Sequence, residues 1–157
     1  MSKPSRQIGR SGKPSNTTTP ARNAEVAREL IDAGFNHGDL AVLERLLDPT
    51  FVEHQRLPHG IPPTVEALRA IIGALRGGFP DFRLTIEQLD SVQDRVWLRM
   101  RGTGTHRGEF MGLQATGRKI AVDVIDVVRL KGGRVIEHWG VPDQLAVMEQ
   151  LGALGPE

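Results

Sequence analysis

The sequence predicts an α+β fold in which a curved antiparallel sheet forms a cone wrapped around N-terminal helices. Three features predict it: helical apolar spacing dominates the first half, strict alternation dominates the second, and a single short helix closes the chain. At 157 residues there is material for one domain with one proper core. Residues 1–18 are basic and rich in Ser, Gly, Pro and Thr, and are expected to be a disordered tail. Residues 19–157 form the domain.

Composition removes several function classes. The formal charge is +1 and the basic residues are spread along the chain, so no nucleic-acid or membrane-surface partner is expected. There is no cysteine, which excludes disulfides, thiolate catalysis and zinc–thiolate sites. There is no tyrosine to act as an acid. The histidines lie far apart without a pair at ligand spacing, so no metal is expected, and no glycine-rich stretch has the strand–turn–helix setting of a phosphate loop. No apolar run reaches the length of a membrane span, and a cytoplasmic protein is expected.

The elements follow in order. Thr19-Pro20 caps a helix whose apolar positions are Val26, Leu30, Ile31 and Phe35. Asn36-His37-Gly38-Asp39 breaks it, and a second helix is expected from Leu40 to Leu47, ended by Asp48-Pro49. Phe51 to Gln55 reads as a short strand, with Val52 and His54 on one face and Phe51, Glu53 and Gln55 on the other. His59 lies in a loop rich in Pro and Gly. Thr64 caps a helix to about Arg76, striped by Leu68, Ile71, Ile72 and Leu75. Phe82, Leu84, Ile86 and, after a shift, Leu89 alternate as a strand. Val96, Leu98 and Met100 then alternate with Trp97, Arg99 and Arg101, and the apolar set is expected inward. Gly102 and Gly104 suggest a bend or bulge in that strand. Pro142-Asp143 starts a last helix through Leu145, Met148 and Leu151, closed by Gly152.

Between Arg118 and Asp143 two runs rich in β-branched residues flank Gly132-Gly133, the pattern of a β-hairpin. Asp126 interrupts an otherwise apolar face made by Val122, Val124, Val128 and Leu130. A two-residue loop would set Asp126 opposite Trp139; a three-residue loop from Lys131 sets it opposite His138. The second register is expected, because it gathers Ile136 and His138 with the apolar face and leaves Asp123, Arg129 and Glu137 in water. A carboxylate beside an imidazole in an apolar lining suits proton transfer. The same two groups can also simply satisfy each other's hydrogen bonds in a core.

Ordered short motifs carry a resemblance over 23–152. Asn36-His37-Gly38-Asp39-Leu40, Asp48-Pro49-Thr50-Phe51-Val52-Glu53-His54, Phe79-Pro80-Asp81-Phe82, Gly104-Thr105-His106-Arg107-Gly108-Glu109-Phe110, Thr116-Gly117-Arg118 and Glu137-His138-Trp139 run in that sequence. In this the chain resembles SnoaL-like polyketide cyclases. The resemblance implies the nuclear-transport-factor-2-like (cystatin-like) α+β barrel, also the fold of certain epoxide hydrolases and a ketosteroid isomerase. It further implies ring closure of polyketide esters by intramolecular aldol condensation, with neither cofactor nor metal. In such cyclases an acid–base aspartate follows the His-Trp pair and a histidine falls where Asp126 stands. Here Gly140 follows that pair, which implies that the carboxylate has crossed the hairpin.

The expected catalytic pair is therefore Asp126, as acid or base, and His138, orienting it or sharing its proton. A dry lining is expected to raise a carboxyl pKa by ~1–3 units, and a neighbouring imidazolium to pull it back. His54, His106, Val124, Trp97 and Gly140 are expected to contact a hydrophobic small-molecule substrate. Epoxide opening is an alternative, requiring Arg99 or Arg101 to point inward with Asp126. A non-catalytic binding or dimerisation module is another, supported by Gly140. Ile125, Val127 and Trp139 are expected on the outer sheet face, where a homodimer would form.

Overall fold

The structure, a computed structural model, describes residues 18–57 and 60–155. Most of the expected tail (1–17) and His59 lie outside the described residues.

Helix α1 (Pro20–Glu29) starts where Thr19 accepts a hydrogen bond from the Arg22 backbone N–H, with Pro20 in the first turn. It continues without a break as a π-helical segment, Leu30–Asn36, whose widened turn carries buried Phe35. Asn36 then ties this end to the sheet: its side chain donates to the Leu84 carbonyl at 3.0 Å and accepts from the Leu84 N–H at 2.7 Å. Helix α2 (Ala41–Leu46) follows. It is shorter than expected, because Leu47 already opens strand β1 (Leu47–Glu53). Asp48-Pro49 therefore does not end a helix. It lies where pairing skips from Leu47↔Val135 to Val52↔Glu137, and a proline without an N–H is tolerated in such a gap. Helix α3 (Val65–Gly78) is capped by Thr64 and buries Leu68, Ile71 and Ile72.

Strands β2 (Arg83–Val92), β3 (Arg95–Thr105), β4 (Lys119–Lys131) and β5 (Arg134–Pro142) form an antiparallel meander. Strand β1 joins its edge parallel to β5, giving the order β1-β5-β4-β3-β2. The concave face buries Val96, Leu98 and Met100 against the helices, while Trp97, Arg99 and Arg101 point outward. The shift anticipated before Leu89 is a bulge between Ile86 and Gln88. No bulge occurs at Gly102 or Gly104, for β3 pairs with β4 without interruption from Arg95 to Thr105. Gly104 is needed for space instead: a Cβ there would lie 3.0 Å from the Phe79 Cβ. The last helix, α4 (Gln144–Leu151), is N-capped by Asp143 and buries Val147 and Leu151, whereas Leu145 is exposed.

The hairpin departs from the expected register in detail. Its loop is the two-residue one, with positive φ at Gly132 and Gly133, and Lys131 faces Arg134. A bulge at Ile136 then restores the parity, since Leu130 pairs with Val135 and Arg129 with Glu137. Val135 rather than Ile136 enters the core. Asp126 lies opposite Gly140, and His138 opposite Val128.

Candidate functional site

Between the concave sheet face, α3 and the 106–118 loop lies a cavity of about 430 Å³. Its walls are mostly apolar, with Phe35, Ile71, Phe79, Phe82, Val122 and Val124 prominent. Asp126 and His138 line it as well, and Gln55, Arg56, Glu109 and Gln144 supply further polar lining.

Asp126 and His138 meet diagonally across the hairpin: His138 Nε2 is 3.2 Å from Asp126 Oδ2. On its other side His138 Nδ1 is 2.7 Å from Glu53 Oε2, and the remaining Glu53 oxygen accepts the Gln55 N–H at 2.8 Å. Glu53, Asp126 and His138 are all buried. Burial alone would lower the imidazole pKa, but Asp126 and then Glu53 outweigh it and raise the pKa to about 10. His138 is thus an imidazolium held between two carboxylates. Glu53 was not expected here. Its signal was available, because it shares the β1 face of Phe51, which is buried.

Gly140 adjoins the same cluster. A Cβ at this position would overlap the Gln55 amide oxygen and stand 3.3 Å from Asp126 Oδ1. Val124 lines the cavity as expected. Gly140, though beside the cluster, does not line the cavity, and three other expected contacts do not reach it either. His54 stands on the outer face, stacked on Trp139 at 4.4 Å and bonded to Glu137 at 3.2 Å. Burial pushes the Glu137 carboxyl up, but the hydrogen bonds from Arg129 and His54 outweigh it and hold the group below its usual range. Trp97 is half exposed on the outer face, because odd-numbered β3 positions point away from the core. His106 is fully buried behind Phe79, and its Nδ1 accepts from the Thr116 N–H at 3.3 Å. The arginines needed for epoxide opening are also turned outward, Arg99 pairing with Glu87 and Arg101 with Asp123. Among the described residues no three His, Asp or Glu side chains have the arrangement of a metal site, and no helix is long and apolar enough to cross a membrane.

Comparison with known proteins bears on what such a cavity is for. The family model described as SnoaL-like polyketide cyclase matches residues 25–151. The chain belongs to the SnoaL-like polyketide cyclase family. Among its relatives is the aklanonic acid methyl ester cyclase DauD of Streptomyces sp. (strain C5), 28% identical over 139 residues, covering 84% of this chain and 83% of that one. TsrD from Streptomyces laurentii has a similar structure, with a TM-score of 0.78 at 28% identity over 87% of this chain and 99% of the other. IdmH from Streptomyces antibioticus superposes with a TM-score of 0.74 at 30% identity, over 86% and 99% of the two chains. As a SnoaL-like protein the chain has the curved-sheet α+β fold its alternating strands predicted, and membership of a cyclase family implies a small-molecule substrate.

Proposed function

We propose that this chain closes a ring in a neutral polyketide ester by intramolecular aldol condensation, with Asp126 serving first as base and then as acid. The observation that carries the proposal is a buried carboxylate lining an apolar cavity beside a fixed imidazolium. Asp126 removes a proton from a carbon next to a carbonyl, leaving an enolate. The enolate carbon bonds to a second carbonyl carbon of the same molecule, whose π electrons become an alkoxide. The alkoxide takes the proton back from Asp126. Atoms and electrons balance with no oxidant and no group transferred, so acid–base side chains suffice. Through Nδ1 His138 is held by Glu53 while Asp126 exchanges its proton with the substrate.

Asp126 lines a mostly apolar cavity, and a substrate carboxylate held there would be buried beside another carboxyl group. A neutral ester suits it better, as in the methyl ester cyclase names of the relatives. We further place the protein as a homodimer through its outer sheet face.

The test is turnover of aklanonic acid methyl ester, read by chromatography as an isomer of unchanged mass. Asp126→Asn should lower the rate by ~10²–10⁴-fold, the usual contribution of a positioned acid–base group, with the circular dichroism and substrate affinity retained. Unchanged turnover in that variant would dismiss the mechanism. A wild type that binds the ester without converting it would make the protein a non-catalytic receptacle.

A further inference from the structure

The aldol sequence needs more than a base. Negative charge develops on a carbonyl oxygen as the enolate forms, and a donor must meet it. Asp126 cannot donate while it is the base. Both ring nitrogens of His138 already face carboxylates. His106 does not line the cavity, and Trp97 is on the other side of the sheet.

Of the other polar residues that line the cavity, Gln55 abuts the acid–base cluster at Gly140. It lies two residues beyond the end of β1, and its backbone N–H is held at 2.8 Å by the Glu53 carboxylate that also holds His138. Its side chain lines the cavity and has no hydrogen-bond partner among the described residues. The amide oxygen fills the space over Gly140, on the side of His138 and Asp126, and a half-turn of the amide plane would put its N–H there instead. Gly140 does not have a positive φ and sits in a regular strand, so its backbone conformation does not call for glycine. A Cβ there would meet the Gln55 amide oxygen and, at 3.0 Å, the His138 ring, so the amide could keep its place only over a bare residue.

Resting on the aldol mechanism above, we infer that Gln55 is a catalytic residue whose amide N–H binds the carbonyl oxygen that becomes the enolate oxygen, and that Gly140 is bare to make room for it. A neutral donor is apt, because a second cation there, added to the His138 imidazolium already beside Asp126, would weaken it further as a base. The pairing also explains how the carboxylate can stand at 126: an aspartate at 140 would compete with Gln55 for one volume.

The experiment compares kcat and KM for aklanonic acid methyl ester in four chains: wild type, Gln55→Leu, Gly140→Ala and the double variant. Gln55→Leu should lower kcat by ~10²–10³-fold, the usual loss of one oxyanion donor, with KM little changed. Its melting temperature should match the wild type, because the amide has no hydrogen-bond partner among the described residues. Gly140→Ala should displace the amide and lower kcat too, and the double variant should be no slower than Gln55→Leu alone. Wild-type kcat in Gln55→Leu, or a loss of melting temperature in its place, overturns the inference while an inactive Asp126→Asn leaves the aldol mechanism standing. Full additivity in the double variant overturns the role given to Gly140. Activity in Asp126→Asn removes the mechanism itself, whatever Gln55 does.

Discussion

His138 is buried, yet it is charged, and both facts follow from what faces it. An imidazolium with a carboxylate 2.7 Å from one nitrogen and another 3.2 Å from the second is stabilised more by those partners than it is penalised by leaving water. The consequence is a pH dependence of definite sign. The folded pKa, about 10, exceeds the ordinary value of 6.5, so the native state binds this proton more tightly than the unfolded chain. The stabilisation is complete below pH 6.5 and is lost as pH rises through about 10. The chain has neither cysteine nor tyrosine, so few other groups titrate in that interval. Thermal melts should therefore show a melting temperature falling steadily from pH 7 to pH 10. In Glu53→Gln, with one carboxylate gone, the fall should begin at lower pH and the His138 ring protons should titrate earlier by NMR. Flat stability across the interval, or an imidazole titrating near its ordinary value, would contradict the charged triad. At this scale the sequence disclosed Asp126 through a single polar break in an apolar face. It put Glu53 on the face of Phe51 but did not turn that face inward, because whether the Phe51 or the His54 face of β1 points to the core depends on where β1 docks.

The β4–β5 hairpin is the element that brings these groups together, and it does so by a device with no mark in the composition. A two-residue turn at Gly132-Gly133 alone would place Asp126 opposite Trp139 and turn His138 outward. The extra residue, Ile136, corrects the parity while Glu137 still faces Arg129. Deleting Ile136 should thus leave a regular hairpin in which Val135, Glu137 and His138 keep their present sides. Such a chain should fold, with some loss of melting temperature, and should retain turnover. Deleting Val127 removes the same length of backbone but turns Asp126 outward, and turnover should vanish. If both deletions behave alike in the turnover assay, the bulge does not govern the site. Strands and helix starts were legible because alternation and capping are local. The bulge was not, since a three-residue loop and a two-residue loop with a bulge bury nearly the same residues.

At the scale of the whole molecule, the cone separates its two sheet faces by task. The inner face holds the cavity; the outer face carries an aromatic stripe. Trp97 on β3, Val127 on β4 and Trp139 on β5 are successive cross-strand neighbours, and His54 stacks on Trp139 to extend the row. Ile125 and Val141, paired beside it, are exposed. The charged residues around the stripe are already matched, Arg99 with Glu87, Arg101 with Asp123 and Arg129 with Glu137. A surface apolar in its middle and internally neutralised around it can meet a second copy of itself about a two-fold axis without stranding a charge. A standard interface buries roughly 800 Å² per partner, which a face of four strands can supply. Light scattering after size exclusion should accordingly give a dimer for the wild type. Trp97→Glu should shift it to monomer, since two like charges would meet at or near the axis. Turnover per chain should survive the change, because Trp97 faces away from the cavity. A wild type that stays monomeric at high concentration, or a variant that stays dimeric, would show that the stripe serves some other contact. Lost turnover in a well-folded monomer would mean instead that the cavity depends on the second copy.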